Sequence, residues 1–564
     1  MDSRTPYVIT ASLDMTLLAY LGYLYHANSV TLYSYTQIYG PLSLSPAIGP
    51  LTALVSASSA VATLLASRDK RLGDRCFAAL LVTFTSLVVA AQLLLPDLVS
   101  RYYLANWVSD SYEHLWGEGM YLAMYGHVTP YPTFMWFNRA FWFTFAESVL
   151  ALWGHPGYYM AAPALFTPKW FPLIMSIAVA PPVYLLARSL GLGRRASAAA
   201  VTMTEALWPI IPYAASESWA TVTFTAALAF FIVAATSSER RGLVPLVLAS
   251  LAFVYTHEYP AAVGTVALLG AGVMLLTRRG LRSSTLTALA AVASAWLIMG
   301  IYDSHGFVQG GIHYYWDVVT STLRSLFVKA PQVIAQSTAK AYVPYERAVR
   351  IEAYTFILDL AVPFFLALAM IRDKRGKALF GAVGGGGLIG AGLSIPTTIG
   401  LGWSYRVPLL LVGLLSVTLV LFAEARRHRR AALAAVVLAV SLLVPLTIYT
   451  EYTGYSQLAV PERGGGLTLL NVVTESGGYQ PGIVGELAPG TAVQGDIPWY
   501  GSWCSNETPS FPSGVYLEYY YREFVYYVYV VCPNYVLLSS RINSFASNNS
   551  VVVDTNIGFL SLTR

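Results

Sequence analysis

The stretch RVPLLLVGLLSVTLVLFAEARRHRRAALAAVVLAVSLLVPLTIYT, residues 406–450, decides the fold class of this chain. Two apolar runs flank a short basic connector, RRHRR at 426–430. Each run is close to the ~20 residues that a helix needs to cross a hydrocarbon core ~30 Å thick. The pattern predicts two membrane-spanning helices joined by a turn at the membrane surface.

Similar apolar runs recur along the whole chain. They predict about thirteen spans, near residues 7–27, 46–67, 76–95, 170–187, 196–213, 218–236, 242–258, 260–277, 284–302, 354–371, 378–399, 405–424 and 431–450. Charged residues make up only 11% of the chain and the mean hydropathy is +0.56, whereas a soluble chain carries about 25% charged residues. We therefore expect an all-α polytopic membrane protein. No basic stripe of the kind that binds nucleic acid is present in the sequence.

Basic connectors indicate the orientation of the predicted spans. Most of the 34 Lys and Arg residues fall in short connectors at alternate junctions: 68–75, 188–195, 238–241, 278–282, 372–377 and 426–430. The positive-inside rule places such connectors in the cytoplasm. The sequence therefore predicts a plasma-membrane protein with a cytoplasmic N-terminus and an extracytoplasmic C-terminus.

This orientation puts the long polar segments on the outer face. We expect a membrane domain over 1–450, with outer loops at 96–169 and 303–353, followed by a small β-rich extracytoplasmic domain over 451–564. Short β-branched stretches in the last segment favour strands. Cys504 and Cys532 both fall there, and an oxidising compartment favours a disulfide between them, with two unpaired thiols as the alternative.

The first outer loop contains the candidate catalytic residues. In NWVSDSYEHLWGEGMYLAMYGHVTPYPTFMWFN (106–138), Asp110, Glu113 and His114 are three and four residues apart. If the segment is helical, these side chains share one face within one turn. The alternative is a helix that lies along the membrane surface with a solvated polar face.

Further polar residues are predicted where spans emerge on the same face. They are Glu217, His257, Glu258 and Arg406 at span ends, with Arg347 and Arg350 in the loop 303–353. Each of them singly also fits an interfacial anchor or a helix cap. Together they could form a pocket in which cations hold a phosphate. A carboxylate there would act as a general base or hold a divalent metal such as Mg²⁺ or Mn²⁺.

Ionisable residues also fall inside three predicted spans: Asp14, Glu205 and Asp359. Such residues are costly in a membrane and often functional. Asp359 is predicted near the outer end of its span, where it could face the pocket, and Glu205 would be central to a proton-coupled transporter. The Gly-rich run at 381–392 favours a close helix-packing face over an unwound substrate-binding segment.

On the motif DSYEHLWGEGMYLAMYGHVTPYP (110–132), the chain resembles GT-C-type glycosyltransferases. These polytopic enzymes use sugars linked to polyprenyl or dolichyl phosphate. SESWATVTFTAALAFF (216–231), THEYP (256–260) and the β-rich tail are similar to features of archaeal members. The resemblance implies that Asp110 is the catalytic base or a metal ligand, and that Arg406 binds the lipid phosphate.

The chain departs from two members of that class. The oligosaccharyltransferase motif WWDYG is absent, and the nearest text is GDIPWYGSW at 495–503. Asp110 and Glu113 are separated, whereas protein O-mannosyltransferases carry adjacent Asp and Glu. Two predicted spans more than usual precede the catalytic loop.

Three functions remain open on the sequence. The first is transfer of a sugar from a polyprenyl- or dolichyl-phosphate donor to a glycan, lipid or protein acceptor on the outer face. The second is a transporter or flippase for a lipid-linked or polar substrate, and the third is a non-catalytic envelope assembly protein. Membrane lipids are expected partners in each case.

Overall fold

A computed structural model describes residues 4–31, 48–99, 162–208, 216–236, 242–256, 258–302, 346–394, 406–424, 429–458, 493–494, 516–520, 550–554 and 558–562. Within these ranges the helices are α1 Thr5–Thr31, α2 Ile48–Arg68, α3 Asp74–Val99, α4 Ala162–Ser189, α5 Arg194–Ala206, α6 Ser216–Thr236, α7 Leu243–Val254, α8 Glu258–Leu276, α9 Arg282–Tyr302, α10 Glu346–Ala369, α11 Lys374–Ser394, α12 Arg406–Ala423 and α13 Arg429–Leu458. A 3-10 turn, Arg279–Leu281, precedes α9.

Each predicted span overlaps one of these helices. Among the described residues, α1, α2, α3, α6, α9 and α13 contain the six segments that are long and apolar enough to cross a membrane. The chain is therefore an α-helical membrane protein, as predicted. The number of thirteen spans stays a prediction, because the other helices are shorter or less apolar over their described lengths.

Two boundaries differ from the predictions in ways that affect the candidate site. Glu258 was expected at the end of the seventh span, but α7 ends at Val254 and Glu258 begins α8. Arg347 and Arg350 were expected in a loop, but α10 already begins at Glu346. A helix can continue past the apolar run that identifies it, and an acidic residue in its first turn is favourable there.

Contacts among the basic turns hold them at one end of the helical bundle. Arg195 at the start of α5 forms an ion pair with Asp74 at the start of α3, and its guanidinium donates to the Leu72 carbonyl at 2.8 Å. Arg68 at the end of α2 donates to the carbonyl of Ala423, the last residue of α12, at 2.6 Å. We call this the basic end, defined by the turns 68–75, 188–195, 278–282 and 372–377.

The remaining turns close the same end. Arg278 donates to the Arg372 carbonyl at 2.8 Å, and Lys377 donates to the Thr277 hydroxyl at 2.7 Å. The odd-numbered helices therefore start at the basic end and the even-numbered helices finish there. This alternation matches the prediction that the basic connectors share one side.

Helices α8 and α11 pack most closely, through glycines. A methyl group added at Gly270 would overlap the Gly381 carbonyl oxygen, and one added at Gly385 would come within 2.6 Å of the Val266 carbonyl oxygen. Small residues let membrane helices approach backbone to backbone. The structure thus uses the described part of the Gly-rich run as a packing face, as predicted.

Four short strands occur in the described part of the C-terminal segment. They are β1 Val493–Gln494, β2 Tyr516–Tyr520, β3 Ser550–Asp554 and β4 Gly558–Leu562, in the sheet order β1-β2-β4-β3. β1 pairs with β2 in parallel, and β4 pairs with both β2 and β3 in the antiparallel sense. Helix α13 continues past the predicted boundary at 450 to Leu458. The β-rich domain over 451–564 stays a prediction, since most of that segment lies outside the described residues.

Candidate functional site at the helix starts

Three mutually packed helices, α6, α8 and α12, begin at the end of the bundle opposite the basic end. The Thr221 hydroxyl of α6 donates to the Leu409 carbonyl of α12 at 3.0 Å. Gly264 of α8 lies against the Phe224 ring of α6. These contacts join residues that are similarly far from the starts of their helices, so the three helices run parallel.

The same contacts fix the level of three predicted site residues. Glu217 is four residues before Thr221, and Arg406 is three residues before Leu409. Glu258 is six residues before Gly264, whose neighbour Phe224 is seven residues after Glu217. At a rise of about 1.5 Å per residue, the backbones of Glu217, Glu258 and Arg406 lie at one level to within about a helical turn.

Helix α10 adds two further predicted residues at this end. It packs against α12, and Arg347 and Arg350 lie in its first two turns. The starts of all four helices therefore lie at one end of the bundle, but α10 extends farther out than α12, so Arg347 and Arg350 lie about 14–18 Å beyond the level of Arg406.

The starts of packed parallel helices favour anions. Each helix carries a partial positive charge of about half a unit at its N-terminus, and its first four N–H groups have no partner within the helix. Packed helices lie ~8–10 Å apart, so adjacent starts can act on one ligand. The helix starts and Arg406 thus supply positive charge that suits a phosphate, and Glu217 and Glu258 offset part of that charge.

The other predicted site residues lie outside the described residues. These are Asp110, Glu113, His114 and His257, together with Cys504 and Cys532. Their roles, the disulfide and a metal at Asp110 stay predictions. Within the described ranges, no group of three or more His, Cys, Asp or Glu residues could hold a metal ion.

Asp14 is buried between α1, α2 and α3 with partners on two helices. Ser59 donates to its Oδ1 at 2.5 Å and Thr83 donates to its Oδ2 at 3.3 Å. Both partners are small polar residues among several Ser and Thr of apolar runs, and no sequence pattern marks them as ligands of Asp14. The contacts indicate that Asp14 joins three helices.

Glu205 is buried near the end of the short helix α5. Thr85 of α3 hydrogen-bonds to its carboxylate, and the Gln92 amide donates to its main-chain carbonyl at 3.2 Å. Its Oε2 has no hydrogen-bond partner among the described residues. The carboxylate of Glu205 therefore has fewer hydrogen-bond partners among the described residues than the carboxylate of Asp14.

Asp359 of α10 is buried, and neither carboxylate oxygen has a hydrogen-bond partner in the described part of the chain. Two contacts of α11 indicate how deep Asp359 lies in the bundle relative to Arg406. Gly384 lies level with Phe364 of α10, and Gly386 lies level with Leu411 of α12. Counting back five residues on each helix puts Asp359 within about one turn of the level of Arg406. This position agrees with the prediction of a shallow carboxylate.

Known proteins show little similarity to this chain. No known protein-family model matches the chain, and no curated protein sequence is similar to it. A solved structure of the Archaeoglobus fulgidus oligosaccharyltransferase, in complex with zinc and sulfate, superposes with a TM-score of 0.38 at 13% identity. The matched region covers 74% of this chain and 60% of that one, so this chain spans less than two thirds of that protein.

Proposed function

We propose that this protein is a GT-C-type membrane glycosyltransferase. It would move a sugar from a polyprenyl- or dolichyl-phosphate donor to a glycan, lipid or protein acceptor at the end opposite the basic turns. The observation that supports this proposal most is the common level of Glu217, Glu258 and Arg406 at three packed helix starts, an end suited to a phosphate. The motif at 110–132 supplies the resemblance to the enzyme class.

The proposed reaction divides its tasks among these residues. The acceptor's nucleophilic oxygen or nitrogen attacks the anomeric carbon, the bond from that carbon to the phosphate oxygen breaks, and the lipid phosphate leaves with the electron pair. Arg406 and the starts of α6, α8 and α12 would stabilise the phosphate charge. Arg347 and Arg350, farther out along α10, would attract the anionic donor to this end of the bundle. Asp110 would take the acceptor's proton as general base, and Glu113, His114, Glu217, His257 and Glu258 would hold and orient the sugar and the acceptor.

A divalent metal is a second role for Asp110. Mg²⁺ or Mn²⁺ bound by carboxylate oxygens would neutralise phosphate charge. The residues proposed for it lie outside the described ranges, so the reaction steps above assign nothing to the ion.

The test compares Asp110→Asn with a matched Asp→Asn change at the basic end. Asp373 is exposed there, so Asp373→Asn controls for removal of one carboxylate. In cells that lack the native chain, we expect Asp110→Asn to leave polyprenyl-phosphate sugar unused and surface glycans shortened. Asp373→Asn should restore the wild-type pattern. Wild-type glycans with a normally inserted Asp110→Asn protein would remove Asp110 from the mechanism.

Glu205 favours a second candidate function, ion-coupled transport. A buried carboxylate with one oxygen lacking a partner among the described residues is the kind of group that binds and releases a proton in transporters. Under this hypothesis Glu205→Gln abolishes proton-coupled uptake in proteoliposomes. The control is Asp14→Asn, which changes a buried carboxylate that already accepts hydrogen bonds, and this variant keeps the uptake. Equal uptake by the wild type and Glu205→Gln would exclude the transporter hypothesis.

A further inference from the structure

Two groups of cations at the basic end have different surroundings. Members of the first group donate to main-chain carbonyls of the turns: Arg68 to Ala423 at 2.6 Å, Arg188 to Leu192 at 2.5 Å, Arg278 to Arg372 at 2.8 Å and Arg282 to Leu276 at 3.2 Å. The last carbonyls of a helix have no partner within it. Arg68 and Arg282 supply donors to such carbonyls at Ala423 and Leu276, while Arg188 and Arg278 bond carbonyls within turns, so the role of these arginines is structural.

The second group is exposed, and its side chains form no ion pair or hydrogen bond with the described residues. It consists of Lys70, Arg71, Arg75, Arg194, Arg279, Arg372 and Lys374. Two carboxylates in the same turns, Asp69 and the exposed Asp373 between Arg372 and Lys374, offset only part of this charge. Asp74 is paired with Arg195, and Glu424 lies 3.7 Å from Arg68. The basic end therefore presents a surplus of exposed positive charge.

The interlocked turns gather these free cations into two clusters. The bonds of Arg195 hold the turn 68–75 against the turn 188–195, which brings together the segments that carry Arg71, Arg75 and Arg194. The bond from Arg278 to Arg372 holds the turn 278–282 against the turn 372–377, which brings together those of Arg279, Arg372 and Lys374. Membrane orientation requires only that positive charge stay on one side, and this gathering goes beyond that requirement.

Each cluster borders apolar side chains on the outside of the bundle. Val273 and Leu286, which flank the turn of Arg279, are 60% and 57% exposed. Leu65, which precedes the turn of Arg71, is also exposed. A molecule at either cluster would meet cations at the end of the helices and an apolar surface along their sides. A phospholipid has that combination, with an anionic headgroup above acyl chains, whereas a soluble acidic protein would meet only the cations.

We infer that the basic end is a binding surface for anionic phospholipid headgroups. One headgroup site is formed by Arg71, Arg75 and Arg194, and the other by Arg279, Arg372 and Lys374. Basic residues beside a membrane attract anionic lipids electrostatically, and guanidinium groups form charge-assisted bonds to phosphate oxygens. This inference is independent of the proposed glycosyl transfer, because none of these residues belongs to the candidate site.

The test measures phosphatidylglycerol binding to the purified full chain by native mass spectrometry, with phosphatidylcholine as the neutral comparison. The variant Arg71→Gln/Arg75→Gln/Arg194→Gln removes one cluster, and Arg279→Gln/Arg372→Gln/Lys374→Gln removes the other. We expect affinity for phosphatidylglycerol to fall about fivefold for each cation removed at a cluster. Phosphatidylcholine binding should not change.

Controls separate charge, fold and phosphate source. Arg71→Lys/Arg75→Lys/Arg194→Lys keeps the charge and should keep most of the binding. Single variants such as Arg71→Gln replace any triple variant that does not purify as a monodisperse protein. Equal phosphatidylglycerol binding by wild type and Gln variants would overturn the inference. So would equal binding of both lipids by wild type, or full displacement of phosphatidylglycerol by millimolar inorganic phosphate, which would indicate a site for free phosphate.

Discussion

At the scale of single residues, Asp14 and Asp359 have opposite surroundings although both are buried in helices. Asp14 accepts hydrogen bonds from Ser59 and Thr83. Neither oxygen of Asp359 has a partner among the described residues. An unpaired buried carboxylate is destabilising, whereas a hydrogen-bonded one contributes to stability. Among the described residues, Asp359 is therefore the less fully hydrogen-bonded of the two carboxylates.

The same substitution at these two positions should have effects of opposite sign. Asp359→Leu removes a group that costs about 2.5–3.5 kcal/mol in a membrane helix, so we expect a higher midpoint of thermal unfolding in detergent. Asp14→Leu leaves the buried Ser59 hydroxyl without its acceptor, while Thr83 keeps the Leu80 carbonyl at 3.1 Å. We therefore expect a lower midpoint. A lower midpoint for Asp359→Leu would mean that Asp359 has a partner outside the described residues.

At the scale of helices, the contact between α8 and α11 is set by glycine. Gly270, Gly381 and Gly385 bring the two backbones together, and the atoms that an added methyl group would meet are main-chain atoms. Main chain cannot move aside by rotating a side chain. The glycines therefore fix how closely these helices approach, and with them the position of α12, since Gly386 contacts Leu411.

Alanine substitutions along α11 should separate this packing role from helix propensity. Gly381→Ala places a methyl group against the Gly270 carbonyl, and overpacking of this kind costs about 1–3 kcal/mol. Gly387→Ala meets nothing within 4 Å and gains up to ~1 kcal/mol of helix propensity. We expect thermal unfolding at a lower temperature for the first variant and an unchanged or higher one for the second. Similar midpoints would show that α8 and α11 can separate without loss of stability.

At the scale of the whole molecule, charge divides the bundle into two ends. One end holds the interlocked basic turns, and the other holds the starts of α6, α8, α10 and α12. Lipid-phosphate sugars used on the outer face require the second end to be extracytoplasmic. The proposed function therefore depends on the orientation that the basic connectors predict.

That orientation can be tested with a membrane-impermeant maleimide. Arg71 is exposed in the turn between α2 and α3, so Arg71→Cys adds a reactive thiol to the basic end. We expect this variant to be labelled in inside-out vesicles and to gain no labelling over wild type in intact cells. Labelling above wild type in intact cells would reverse the orientation and place the candidate site in the cytoplasm.

Sequence patterns predict the helical membrane class, the approximate positions of the helices and the sharing of one side by the basic connectors. These properties follow from the lengths of apolar runs and from the order of charges between them, which are local features of the chain. Sequence also identified Asp14, Glu205 and Asp359 as ionisable residues within spans. It could not identify the donors to Asp14, because Ser59 and Thr83 are 45 and 69 residues away in the chain.

The tertiary structure shows which helices are neighbours and at what level they meet. It put the starts of α6, α8 and α12 together with Glu217, Glu258 and Arg406 at one level, and it set α8 against α11 through Gly270 and Gly381. Lateral packing of membrane helices depends on the shapes of surfaces that are distant in the chain. Hydropathy and charge order do not depend on those shapes. The sequence therefore predicts the spans and their order along the chain, but not how the helices pack against one another.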